Sequence, residues 1–250
     1  MRSVPALFVG CIAVISVEAH EADNANAGAP SQVSAAQSAN DAAPIGSDER
    51  TTRVLVLSPK AADHSDATHA ALLISKKSYS GRILFGGRVQ TVKQLRIGSL
   101  PNPWECAWLV WNYQNDEHFY YLAIKSTGWE LGKRDPAYPG GQRFLASGEG
   151  DFRIGAWHGF LITQENEFIS IRVNGDDIVS YADTERPYTD GKLGLYTEDA
   201  EVSLDDINAP FVDDFENYEP LTDTADGFAM NNWSVPFLGH GYVAVADRGK

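Results

Sequence analysis

The feature that most constrains this chain is its rhythm: short apolar runs, many rich in β-branched and aromatic residues, cut again and again by turn-forming residues. Such runs cover residues 53–57, 70–74, 82–89, 104–113 and 119–125, then 159–163, 168–173, 178–181, 192–196 and 202–207. No long amphipathic helical stretch interrupts them. Many short strands at regular spacing with marked turns specify a sandwich or a barrel. Asn174-Gly175 between two such runs is a strong type I′ hairpin signal, and Asp190-Gly191 reads as another turn. A chain of 250 residues that is 43% hydrophobic can bury one core of that size.

The N-terminus reads as an export signal over residues 1–22. Arg2 gives the positive start, residues 7–17 the apolar centre, and small residues near Ala19 and Ala22 the cleavage sites. The apolar run is too short to span a bilayer, so no membrane span is expected. Phe8-Val9-Gly10-Cys11 faintly matches a lipoprotein box, but the apolar residues after Cys11 argue against it. Residues 23–50 are rich in Ala, Asn, Ser, Gln and Gly and read as a disordered linker. The folded domain is expected over 51–250. Export places the chain outside the cell, with a bacterial periplasm as the alternative. Of the two cysteines only Cys106 survives signal removal, so no internal disulfide can form.

The formal net charge of −14 opposes nucleic-acid partners and anionic membrane surfaces. It suits a neutral or sparsely charged ligand.

Within residues 152–208 the order of features is telling. Gly155-Ala156-Trp157 precedes a strand and then Ile169-Ser170-Ile171-Arg172-Val173-Asn174-Gly175. Arg186-Pro187-Tyr188, Gly191-Lys192-Leu193-Gly194-Leu195-Tyr196 and Val202-Ser203-Leu204-Asp205-Asp206-Ile207 follow. This series resembles the back half of concanavalin A-like (laminin-G-like) jelly rolls, including the 3-keto-disaccharide-hydrolase-like (glucanase-like) domains of secreted bacterial proteins. Pro101-Asn102-Pro103-Trp104-Glu105 and Gly128-Trp129-Glu130-Leu131-Gly132-Lys133 resemble the same class. The fold implied is all-β: two antiparallel sheets in a jelly-roll sandwich. The opening text of such domains is displaced here to residues 211–250, with Asp213-Asp214-Phe215-Glu216, then Trp233, then Gly241-Tyr242-Val243. A circularly permuted domain would place 211–215 against 202–207 or a neighbouring strand; a truncated second repeat or a sequence artefact are the alternatives.

The resemblance implies a groove on one sheet that holds an oligosaccharide or polysaccharide. Candidate contacts are Arg96, Glu105, Trp108, Trp111, His118, Tyr120, Lys125, Trp129, Glu130 and Lys133. Pyranose C–H faces stack on aromatic rings, and sugar hydroxyls need donors and acceptors of fixed geometry. Period-two alternation divides these residues between two faces without saying which face is the groove. Carbohydrate binding is the leading expectation.

The alternative is a polysaccharide-degrading enzyme using the same groove. Gln94, Arg96, His118 and Tyr121 resemble the set of jelly-roll alginate-lyase-like enzymes: Arg96 and Gln94 to neutralise a uronate carboxylate, His118 and Tyr121 to move protons. A glycosidase needs paired carboxylates. The Glu-x-Asp-x-x-Glu strand motif is missing, which leaves Glu105 with Glu130. A filled groove in a purely structural domain is a third reading. The resemblance also implies a structural Ca2+, held by Asp205 or Asp206 with Asp214 and Glu216; a solvated acidic edge is the alternative. His69, His158 and His240 lack metal-ligand spacing, and the sequon Asn232-Trp233-Ser234 is too short to weigh.

Overall fold

Residues 53–247 are described by the computed structural model; the expected signal peptide and linker lie outside them. In chain order the strands are β1 (Arg53–Ser58), β2 (Ala70–Ser75), β3 (Tyr79–Ser80), β4 (Ile83–Gln94), β5 (Ala107–Asn115), β6 (His118–Lys125), β7 (Gly128–Arg134), β8 (Gln142–Glu149) and β9 (Trp157–Glu165). Then come β10 (Phe168–Val173), β11 (Asp176–Ala182), β12 (Asp190–Glu198), β13 (Ala200–Asn208), β14 (Val212–Asp213), β15 (Leu221–Asp223), β16 (Ala229–Met230), β17 (Trp233–Phe237) and β18 (Tyr242–Asp247). Sheet 1 has the order β11-β10-β9-β4-β13-β1-β18-β15, with β14 on β13. Sheet 2 has the order β16-β17-β2-β12-β5-β6-β7-β8, with β3 on β12. The ladders are antiparallel. The protein is an all-β, two-sheet antiparallel sandwich of the jelly-roll kind.

Alternation explains the packing. Leu55 and Leu57, Phe85 and Val89, Phe160 and Ile162, Ile169 and Ile171 from sheet 1 meet Leu73, Leu109, Trp111, Tyr120, Leu122 and Leu195 from sheet 2 in one core. In β10 every second residue is buried and the others face solvent, the pattern of a strand with one dry side. The β10–β11 hairpin turns at Asn174 (φ 55°) and Gly175 (φ 92°), the pair of positive φ values that a type I′ turn demands. Asp190-Gly191, in contrast, is not a turn. It opens β12, and Gly191 is needed because a Cβ there would sit 2.3 Å from the carbonyl carbon of Asn112.

The C-terminal residues are strands of this same sandwich. Asp213 in β14 pairs with Ile207 of β13, β17 pairs with β2, and β18 lies between β1 and β15. Asp213 is the knot that ties them. Its carboxylate accepts from the Phe215 amide (3.2 Å), the Tyr218 hydroxyl (2.7 Å) and the Trp233 indole (3.0 Å). This makes physical sense of an acidic-aromatic motif followed by a distant tryptophan.

Candidate functional site

Alternation sorts the sheet 2 side chains into two layers. Ala107, Leu109 and Trp111 of β5 point to the core with Tyr120, Leu122 and Ile124 of β6. Trp108, Val110 and Tyr113, with Phe119, Tyr121 and Ala123, point the other way. They join Leu72, Ile74, Tyr196 and Phe237 in a second apolar cluster on the outer face of sheet 2.

Three rings form the centre of that outer layer. Trp108 lies against Tyr121 with centroids 4.7 Å apart and meets Tyr196 edge-on at 5.7 Å. Tyr121 can lie flat because Gly132, its partner across β6 and β7, has no side chain: a Cβ there would fall 2.2 Å from the Tyr121 hydroxyl. Polar groups border the rings. The Tyr121 hydroxyl donates to Glu130 (3.1 Å) and accepts from Gln142 (2.5 Å), while Lys125 reaches Glu130 at 3.2 Å. Tyr196 donates to Glu198 at 2.5 Å. Burial, reinforced by Asp199 and Glu105 nearby, pushes the Glu198 carboxyl up to about 8. The three rings are 3% (Trp108), 0% (Tyr121) and 1% (Tyr196) exposed, so the half-buried polar border of Lys125 and Glu130, not the ring faces, meets solvent.

The structure therefore divides the sequence candidates. Trp108, Tyr121, Lys125 and Glu130 share the outer face of sheet 2. Tyr196, Glu198 and Gln142 join them and were missed. Inward-facing Leu193 and Leu195 signal that Tyr196 points outward; no local pattern marks Gln142.

Trp111 and Tyr120 correct the expectation of a sugar-stacking role. Both are in the inter-sheet core, stacked at 5.4 Å. The Trp111 indole donates to Gln164 of the opposite sheet at 2.7 Å, which satisfies its only polar group inside the protein. Trp129 also leans to the core side, half-buried over Gly148.

Lys133 is a second correction. It is fully buried, its Nζ donating to Asp183 (2.6 Å) and to the Glu185 carbonyl (2.5 Å). Tyr120 donates to the same carboxylate at 2.5 Å. Lys133 thus clamps the β11–β12 connection to sheet 2 and cannot touch a ligand.

Arg96 and Glu105 are a third. They form a sealed pair at 2.5 Å, and Arg96 also binds Asp199 at 2.8 Å. Burial holds the Asp199 carboxyl up at about 6 against the pull of Arg96. Gln94 is spent on the carbonyls of Asn102 (3.0 Å) and Glu105 (3.1 Å).

These placements dissolve the lyase set. Arg96 and Gln94 sit beside the start of β5. His118 follows its end, bonded to Asn115 at 3.0 Å. The nine residues of β5 span about 30 Å. His118 also faces the core side, edge-on to Tyr188 at 5.7 Å, whereas Tyr121 faces outward. Burial pushes the Tyr121 hydroxyl well above its usual range, which makes it a poor proton donor. Glu105 and Glu130 fail as a glycosidase pair because Glu105 is enclosed by Arg96 and Asn102.

The acidic candidates are not gathered around one point either. Arg88 pairs with both Asp205 and Asp206. Asp214 caps the Glu216 amide at 3.2 Å, and Glu216 accepts from the Arg53 amide at 2.8 Å. Among the described residues no group of three or more His, Cys, Asp or Glu is placed to hold a metal ion.

No protein-family model matches the chain, and no curated protein does. Solved structures do. A carbohydrate-binding module, CBM66, from Bacillus subtilis superposes with a TM-score of 0.48 at 12% identity, covering 57% of this chain and 83% of that one. A protein of unknown function with a galectin-like fold, also from Bacillus subtilis, gives 0.45 at 11%, covering 59% and 80%. Domains LG4–5 of the mouse laminin α1 chain give 0.40 at 13%, covering 69% and 48%. Among the described residues no helix is long and apolar enough to cross a membrane.

Proposed function

We propose that this is a secreted carbohydrate-binding protein whose outer sheet 2 face holds a neutral oligosaccharide or polysaccharide. The observation that carries the reading is the polar border of Lys125, Glu130 and Gln142, which the buried Trp108–Tyr121–Tyr196 layer holds in place. The buried rings fix the positions of these polar groups. Glu130 accepts, Lys125 donates and Gln142 does both, which suits hydroxyls that are themselves donors and acceptors. Binding is favoured over catalysis because the enzyme candidates are spent: Gln94, Arg96 and Glu105 on one another, His118 at the far end of β5. Export follows from the N-terminal sequence, and the net charge of −14 directs the choice toward uncharged sugars and away from nucleic acid.

A polysaccharide array tests this, run with wild type and Lys125→Ala. Binding that weakens in the variant, without new reducing ends or the ultraviolet absorbance of an unsaturated uronate, is the expected result. Products from any polymer would establish an enzyme instead. No binding across neutral glycans would end the proposal.

A further inference from the structure

On the opposite side of the sandwich, sheet 1 carries a cleft of about 400 Å3 where β9, β10 and β11 meet the start of β4. We propose that it is a second carbohydrate subsite, selective for a single neutral pyranose unit. It is independent of the sheet 2 face, because the two lie on outer surfaces of different sheets.

The register builds the cleft in two rows. Thr163, Ser170 and Ser180 are aligned across three adjacent strands, giving a line of hydroxyls about 10 Å long at ~4.8 Å per strand. One step along, about 7 Å away, Glu165, Phe168 and Ala182 form the next row on the same face. Phe168 is 61% exposed, unusual for a large ring on a surface that otherwise alternates cleanly. Ala182 beside it leaves the ring face open. Arg82 closes the β4 side.

Among the described residues, Arg82, Glu165, Ser170 and Ser180 engage their side chains in no hydrogen bond or ion pair, while Thr163 makes a single long one to the Ser170 carbonyl at 3.4 Å. An exposed ring beside unspent hydroxyls, one donor-only and one acceptor-only group has the functionality that a sugar ring matches: an apolar C–H face and a hydroxylated edge. Arg82 and Glu165 offset each other's charge. Together with the acidic surface of the whole chain, this disfavours an anionic sugar.

The test is a titration of the isotopically labelled chain with four neutral probes: the methyl glycosides of glucose, galactose and mannose, and N-acetylglucosamine. The expected result is a set of backbone amide shifts at Thr163, Phe168, Ser170 and Ser180 with at least one probe. The same probe should bind about tenfold more weakly to Phe168→Ala, the loss expected for one stacking contact of about 1.4 kcal/mol. Phe168 is mostly solvent-facing, so that variant keeps its fold; Ser170→Ala gives a second, smaller loss. Absence of shifts at these amides with all four probes overturns the proposal, as do shifts that persist unchanged in Phe168→Ala.

Discussion

The two outer faces of this sandwich are built on opposite principles. On sheet 1, β9 and β10 alternate between core and surface; Thr163, Glu165, Ser170 and Arg172 face outward with exposed Phe168 and half-buried Trp157 and Leu161. On sheet 2, β2 is buried at every position and β5 through its first seven residues. Its outward residues are apolar and aromatic, and its polar groups are bonded to one another at the border. A strand dry on both faces has lost the simple alternation of a half-wet sheet, so its outer layer carries stability.

The largest effect that separates them is a ring deletion. Trp108→Ala should cost about 3–5 kcal/mol in urea unfolding, while Phe168→Ala should stay within about 0.5 kcal/mol. Equal costs would break the contrast. A glycine pair sharpens it. Gly132→Ala drives a methyl into the Tyr121 hydroxyl and should cost about 1–3 kcal/mol, whereas a Cβ at Gly159 meets nothing within 4 Å and should change stability by less than about 0.5 kcal/mol.

A third effect belongs to the sheet 2 side only. Glu198 is raised from 4.5 to about 8, so the folded protein holds a proton that the unfolded chain has released across that window. Stability should therefore fall as pH rises from 4.5 to 8, with Asp199, raised to about 6, adding in the same sense. Denaturation midpoints against pH should show a shallower decline in Glu198→Gln; an unchanged profile would remove Glu198 from the account. The smallest effect is expected from calcium. With Arg88 already on Asp205 and Asp206, millimolar Ca2+ should leave the melting temperature where it is, and a clear rise would show a metal site.

Much of the fold was legible because its signals are local. Asn174-Gly175 fixes a hairpin by backbone geometry alone, and the alternating apolar runs mark most of the long strands. β7 escaped because Gly128, Glu130, Gly132 and Lys133 are poor strand formers; it is held by pairing with β6 and β8 and by Tyr121 above Gly132. The site was half legible. Trp108 and Tyr121 reach the outer face, but Trp111, three residues from Trp108, and Tyr120, next to Tyr121, are core. In strands buried on both sides, parity separates two layers without naming the outer one. Lys133 and Arg96 misled for a different reason. Long cations usually mark a surface, and their partners Asp183 and Asp199 lie far along the chain, where no spacing rule could find them.

The proposed sugar site on sheet 2 rests on the polar border that the buried rings hold in place. Titration calorimetry of Glu130→Ala, with the neutral glycan that the wild type binds best, tests it most directly. Glu130 lies at the border, holding both Tyr121 and Lys125. An affinity loss of about tenfold or more, with the unfolding midpoint little changed, is the predicted result. Unchanged affinity in a folded variant would contradict it.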